Sequence, residues 1–383
     1  MGKSTKSKNL SVRRVPRSPA KPGPQSDSGD KIADFLATVT RTNGEKARAN
    51  QFEAVAVSGR IQMEAFLEKR NRENNDRLAV PVLDKKRVKF SSKVPADKEF
   101  LNATYADFNR EDYIITQAPV VNNLGLFWRM VWQDGCKLVV CVVEKESFSD
   151  SNSKMCCNFF PRDDTPLQLM NNRYTVKLIK KSEQKTYILY DLELSSTDEK
   201  STAKRGTPKS PNEGTPDPNA NADDMTDSKP HTVILMHFTE WRENAWPDVD
   251  HLGQFANAVC TRETNIIKNI TDDYVPPVVL VSMNGLQRAP ALWVWLILGK
   301  QIERREIFDV DHLMRHGELV FLFDFISPRL VVKFRPGAFT DKLSFSLTYA
   351  ISIRMAALQG WLTLEEARKR IEEIRSTVVK PNK

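Results

Sequence analysis

The sequence predicts an α/β fold with a largely buried sheet, because strand-like and helix-like patterns alternate along most of the chain. Short apolar or alternating runs predict strands at 113–115, 138–143, 174–179, 186–194, 233–237 and 278–281. Apolar residues at helical spacing predict helices within 31–75 and at 127–132, 252–259 and 291–298. The last helix is the most clearly marked, because Thr363 and Glu366 form a capping box ahead of a regular apolar stripe.

Charge is distributed unevenly along the chain. The 383 residues carry a net charge of +8, but residues 1–24 alone hold seven Lys and Arg side chains and no acidic ones. The rest of the chain is therefore close to neutral. A folded nucleic-acid-binding domain needs its basic residues on a structured face, so we expect no nucleic-acid partner.

The apolar runs and the cysteines limit the cellular locations that the sequence predicts. No apolar run reaches 18 residues, which predicts no integral membrane contact. The five cysteines include no C-x-x-C pair, so they predict neither a disulfide framework nor a zinc site. We expect a reduced, cytoplasmic protein that needs no metal or cofactor.

The composition of the chain predicts one folded domain with a tail at each end. Residues 1–29 read as a basic, disordered tail, and 379–383 as a short C-terminal tail. The domain itself covers 30–378, interrupted by a Pro-rich insertion at 195–230 that is predicted to be disordered. Residues 316–334 contain a further apolar run, which predicts either an added strand or a partner surface.

One segment carries the chemistry. The apolar strand at 278–281 is followed by a short loop with Gly285, and a helix is predicted to begin near Pro290, since proline is favoured in a first turn. Such a loop presents backbone N–H groups to an anion. Arg288 adds a planar fork that suits phosphate.

Other segments recur in the order found in one known family. They are FLNATY at 100–105, YIITQAP at 113–119, FWRMVW at 127–132, CCNFFP at 156–161, HFTEW at 237–241 and the segment 335–349. Together with the loop before Arg288, they resemble the classical protein tyrosine phosphatases over about residues 50–360, with core motifs at 75–349. The resemblance implies a protein tyrosine phosphatase-like fold: a single domain whose twisted mixed sheet is flanked by helices on both faces.

The resemblance also implies a phosphate cradle, and shows how its sequence departs from the family. The implied cradle residues are Ser282, Met283, Asn284, Gly285, Leu286, Gln287 and Arg288. The family's nucleophilic cysteine aligns with Ser282, and the histidine before it with Val281. A serine hydroxyl needs an adjacent base, which valine cannot supply. Ala289 replaces the hydroxyl residue after the arginine, and Gln287 replaces a small glycine.

The surrounding loops depart from the family as well. The general acid aligns with Glu243, the alignment that we favour because Trp246 and Pro247 then fall where the family has a Val-Pro or similar pair. If the loop is shifted, Asp248 of the Trp-Pro-Asp triplet at 246–248 takes this position instead. Two glutamines of the family are replaced by Thr340 and Ser344. In the substrate-recognition loop, which includes Asp76, the family's tyrosine aligns with Leu78.

These losses around a retained Arg288 favour a pseudophosphatase, which binds or shields a tyrosine-phosphorylated protein or peptide without hydrolysing it. Two alternatives remain open: an interaction scaffold whose pocket is vestigial, and a phosphatase with weak residual activity. The sequence does not specify the oligomeric state.

Overall fold

The fold is described by a computed structural model that covers residues 63–74, 81–90, 99–108, 111–148, 156–197, 230–242, 245–271, 274–304, 335, 342–358, 360 and 362–379. Several predictions lie outside these residues: the basic tail, most of the insertion, the run at 316–334, and the positions Asp76, Leu78, Glu243 and Thr340.

Eight strands and six α-helices make up the described fold. The strands are β1 (Ala103–Phe108), β2 (Glu111–Gln117), β3 (Leu138–Cys141), β4 (Leu167–Leu169), β5 (Tyr174–Glu183), β6 (Ile188–Ser196), β7 (His231–His237) and β8 (Val278–Ser282). The helices are α1 (Glu64–Leu67), α2 (Leu124–Gln133), α3 (Val249–Lys268), α4 (Arg288–Arg304), α5 (Lys342–Leu358) and α6 (Leu364–Val378). Short 3-10 turns lie at Lys69–Asn74, Val121–Asn123 and Lys145–Ser147.

The strands form one mixed sheet in the order β1-β2-β8-β3-β7-β6-β5-β4. The four central strands β2, β8, β3 and β7 run parallel to one another, and the outer strands pair antiparallel. Because parallel strands end at the same edge, the register brings Thr116, Val281, Cys141 and His237 into one row, and Gln117 and Ser282 lie one residue further along their strands. This row is the edge on which a site can be built.

Helices cover both faces of the sheet, as the sequence predicts. On one face α2 buries Phe127 and Trp128 among the side chains of β3, β6 and β8. On the other face α3, α4, α5 and α6 enclose a second core that includes Phe255, Trp293 and Trp295. Strands buried on both faces read as continuous apolar runs, which explains the sequence of β8.

Some element boundaries differ from the predicted ones. Helix α4 begins at Arg288, so Pro290 lies inside its first turn, and α3 extends well beyond 252–259. The first two residues of the predicted insertion, Ser195 and Ser196, belong to β6. Residues 156–161 form no regular strand; the amide of Cys157 instead donates to the carbonyl of Pro119 at 3.0 Å.

Candidate functional site

The loop 283–287 joins the end of β8 to the start of α4 and forms the floor of the site. The carbonyl of Ser282 accepts hydrogen bonds from the amides of Ala118 at 2.8 Å and Gly285 at 3.3 Å. Its hydroxyl is buried, and it has no hydrogen-bond partner among the described residues. No described base is therefore bonded to the oxygen at the implied nucleophile position.

Gly285 occupies a place that no other residue fits without strain. Its φ of +70° lies in the left-handed region, and a Cβ there would come within 2.6 Å of Nη2 of Arg335. Arg335 is fully buried, and it donates from Nε to the carbonyl of Gly285 at 3.2 Å and from Nη2 to that of Asn284 at 3.1 Å. Burial lowers the pKa of this guanidinium to about 9, which still leaves it charged at neutral pH.

One amide of the loop is satisfied by the loop itself. The side-chain oxygen of Asn284 accepts from the amide of Leu286 at 3.0 Å, in an Asx turn. An anion in the cradle would have to compete with this oxygen for the Leu286 amide. The sequence alone places Asn284 in the implied cradle but does not indicate this bond.

Arg288 is nearly buried and joins three segments of the chain. Its Nη1 donates to the carbonyl of Trp241 at 2.7 Å, and it lies 3.5 Å from the carboxylate of Glu144. The sequence analysis missed Glu144. Glu144 lies three residues after the end of β3, and the carboxyl ends of β3 and β8 share one edge of the sheet. Its position after a predicted strand was therefore the one sequence feature that could have indicated it.

The two acid-loop candidates differ in what the structure describes. Glu243 lies outside the described residues. Asp248 is the N-cap of α3, where its carboxylate accepts from the amide of His251 at 2.9 Å. The ring of His251 in turn lies 2.7 Å from the carboxylate of Glu240, so the start of α3 is tied to the segment after β7.

His237 closes the row of strand ends and is buried in an aromatic cluster. Its Nε2 donates to the carbonyl of Val143 at 2.7 Å, and its ring packs edge-on against Phe148 and Phe160. Burial lowers the pKa of His237 to about 4, so the ring is neutral at pH 7. Among the described residues, no three His, Cys, Asp or Glu side chains lie together as a metal site requires.

All five cysteines are buried and none forms a disulfide. Cys141, beside Val281 in the sheet, is the cysteine nearest the loop in register. Burial raises the pKa of its thiol to about 12, and that of Cys157 to about 11. Neither thiol is ionised at neutral pH, so neither is a candidate nucleophile.

The remaining predicted positions are only partly described. Ser344 lies on α5 and is buried. The recognition-loop positions Asp76 and Leu78, and Thr340, lie outside the described residues. The structure therefore brings together Ser282, the loop after it and Arg288, with Trp241 and Glu144 as added neighbours.

This fold and loop belong to a known class of protein. The sequence profile of protein-tyrosine phosphatases matches residues 71–318, more than half of the chain. The chain belongs to the protein-tyrosine phosphatase family.

Individual relatives match parts of the chain. Human tyrosine-protein phosphatase non-receptor type 2 is 33% identical over 129 residues, which cover 32% of this chain and 29% of that protein. Tyrosine-protein phosphatase 99A of Drosophila melanogaster is 21% identical over 308 residues, which cover 78% of this chain and 21% of that protein. The chain thus spans less than a third of either relative's length.

Solved structures share the fold. The catalytic domain of human protein tyrosine phosphatase non-receptor type 18 matches with a TM-score of 0.61 at 18% identity, over 86% of this chain and 99% of that chain. A complex of that phosphatase with HER2 phosphopeptides matches with a TM-score of 0.58 at 17% identity, over 85% and 99% of the two chains. None of the helices within the described residues has the length and apolar character that a bilayer crossing requires.

Proposed function

We propose that this chain is a pseudophosphatase, which binds tyrosine-phosphorylated proteins or peptides without hydrolysing them. The observation that carries the proposal is the pairing of a retained Arg288 with a buried serine hydroxyl at the end of β8. Arg288 offers a phosphate-binding fork at the first residue of a helix, where backbone amides add to anion binding. The oxygen of Ser282 has no described base to activate it.

Phosphate binding and phosphate hydrolysis require different groups, so a protein can bind phosphotyrosine without hydrolysing it. Phosphate binding needs donors that are already in place, and the fold holds Arg288 through its bond to Trp241. Turnover also needs a nucleophile that ionises readily, which a thiol provides and a serine hydroxyl does not. The phosphopeptide complex of the type 18 phosphatase supports this ligand class by analogy.

A vestigial pocket is the second candidate, and one contact favours it. The Asn284 oxygen already occupies the Leu286 amide at 3.0 Å, which removes one donor from the cradle. In that case the protein would be an interaction scaffold, with partners bound elsewhere on its surface. We also propose a cytoplasmic location, consistent with five buried cysteines that form no disulfide.

The deciding experiment compares phosphotyrosyl-peptide binding by the full chain and by Arg288→Met. We expect the variant to lose affinity by about 10- to 100-fold, since hydrogen bonds to charged groups contribute about 1.5–3 kcal/mol. Arg375→Met, at an exposed arginine on α6, is the matched control and should bind like the parent chain. Equal binding by parent and Arg288→Met, or no binding by either, would reject the pocket.

Residual activity is tested separately. If the chain released phosphate from a phosphotyrosyl peptide and Ser282→Ala abolished the release, the third alternative would replace the pseudophosphatase. We expect no release by either protein above the rate of the peptide alone.

A further inference from the structure

Arg162 carries a positive charge that no other described residue neutralises directly. Its guanidinium lies over the ring of Phe148, 4.2 Å from the centroid, and 5.2 Å from that of Phe160. Its Nε and Nη2 atoms are buried, and neither donates a hydrogen bond to a described residue. Buried donors are almost always satisfied, so these two nitrogens indicate a missing acceptor.

Lys145 is a second cation on the same side of the molecule. It is exposed in the 3-10 turn Lys145–Ser147, and no carboxylate pairs with it in the described part of the chain. Burial is the largest cause of the low pKa of His237, and the positive charges of Arg162 and Lys145 lower that pKa further. The two cations therefore share one neighbourhood, around His237.

Most nearby acids are bound to other partners. Glu183 pairs with Lys181 at 3.0 Å, and the carboxylate of Asp163 accepts from the amide of Thr165 at 2.9 Å. Glu144 faces Arg288. Two exposed acids of this region, Glu146 and Asp164, have no described partner, and neither forms an ion pair with Arg162 or Lys145.

The cationic pair lies beside the phosphate site. Glu144 contacts Arg288, and Lys145 is the next residue in the chain. The ring of Phe148, at the end of the same segment, packs against the guanidinium of Arg162. Arg162 and Arg288 both lower the pKa of the Cys141 thiol, which places both charges near the end of β3. An extended peptide advances about 3.3–3.6 Å per residue, so a side chain a few positions from a bound phosphotyrosine reaches this region.

We propose that Arg162 and Lys145 form a second anion subsite, which binds an acidic or phosphorylated side chain flanking the phosphotyrosine of a peptide held at Arg288. This inference rests on the proposed function. The aromatic rings hold the guanidinium plane in one orientation, so little side-chain freedom is lost when an anion binds. The flexible Lys145 adds charge at the rim.

The test uses the full chain and phosphotyrosyl peptides that differ at one flanking position. Each of the four positions on either side of the phosphotyrosine carries Glu, Gln or phosphoserine in turn, with alanine elsewhere. At the best position we expect Glu or phosphoserine to bind about 3- to 10-fold tighter than Gln, the range between an exposed and a partly buried charge pair. A preference for one of the two anions would identify carboxylate or phosphoryl as the natural ligand.

Variants assign the preference to the two cations. Arg162→Gln should remove the preference, and Lys145→Gln, a surface change that is safe for folding, should reduce it. Lys369→Gln, at an exposed lysine on α6, should retain it in full. A preference that survives both Arg162→Gln and Lys145→Gln, or no preference in the parent chain, would overturn the subsite.

Failure of the subsite is distinguishable from failure of the pocket. If the Gln peptide binds the parent chain and Arg288→Met weakens it, the phosphotyrosine pocket stands whatever the flanking residue does. If no phosphotyrosyl peptide binds, the proposed function itself has failed.

Discussion

Arg288 donates a hydrogen bond from Nη1 to the backbone carbonyl of Trp241 at 2.7 Å, so one guanidinium joins the start of α4 to the segment that follows β7. Trp241 is itself buried in the core beneath α3. The arginine is therefore held in place before any ligand arrives. Preorganised donors lose less freedom on binding, so Arg288 is already positioned to bind an anion.

Removing the side chain of Asn284 should strengthen anion binding. Asn284→Ala frees the Leu286 amide from the 3.0 Å bond that now occupies it, so that the amide can donate to phosphate. We expect phosphotyrosyl peptides to bind about 2- to 10-fold tighter, measured by calorimetric titration. Asn284→Asp keeps the acceptor and adds a negative charge, so it should weaken binding. Tighter binding by the Asp variant would contradict the prediction.

A cysteine at the nucleophile position should not restore catalysis by itself. Ser282→Cys would place a thiol in a buried site that follows Val281, with no histidine to favour the thiolate. The neighbouring thiol of Cys141 has its pKa raised to about 12 by burial, despite Arg162 and Arg288 nearby. We expect phosphate release by Ser282→Cys to match that of Ser282→Ala. Robust turnover by the cysteine variant would show that the other substitutions in the loop matter little.

Gly285 and Gly135, two of the three described glycines with a left-handed φ, provide a matched pair for stability. At Gly135, with φ of +59°, a Cβ would meet nothing within 4 Å, so Gly135→Ala should cost only the backbone strain of about 1–2 kcal/mol. Gly285→Ala adds a clash with Arg335 and should cost about 1–3 kcal/mol more. Urea unfolding of the two variants gives this difference directly. Equal free energies of unfolding would mean that Arg335 moves aside freely.

His237 should make stability depend on pH below neutrality. Its pKa is about 4 in the folded state and about 6.5 when exposed, so the unfolded chain binds the proton first as the pH falls. The stability that the neutral ring contributes is full above about pH 6.5 and is lost as the pH falls to about 4. Two and a half pKa units correspond to about 3 kcal/mol.

The measurement compares urea unfolding from pH 7 to pH 4 for the parent chain and His237→Gln, which keeps a donor near the carbonyl of Val143. The variant should lose less stability over this range than the parent. The same slope in the parent and in His237→Gln would contradict the prediction.

Local patterns in the sequence were enough to predict most of the fold. The strand β8, the buried helix α2 and the capping box of α6 follow from residue periodicity and from one local side-chain bond, in which Thr363 accepts from the amide of Glu366 at 3.2 Å. These signals are contained within a few residues. The positions of helix ends were predicted less accurately. Helix α4 begins two residues before Pro290, the residue from which its start was predicted.

Contacts between distant segments could not be predicted from the sequence. Glu144 reaches Arg288 across 144 positions of the chain, and only the shared sheet edge brings them together. The same holds for the buried cluster in which Lys300 donates to Tyr113 and Glu263, each at 2.5 Å. A charged residue inside an apolar helix indicates a buried partner, but it does not say which one.

Arg335 has a consequence for the order in which the protein is made. The carbonyls that it holds lie 50 and 51 residues earlier in the chain. At about 5–20 residues per second of synthesis, roughly 3–10 seconds pass between the emergence of the loop and that of the arginine that supports it. The loop 283–287 therefore gains the support of Arg335 late, after the eight described strands have been translated.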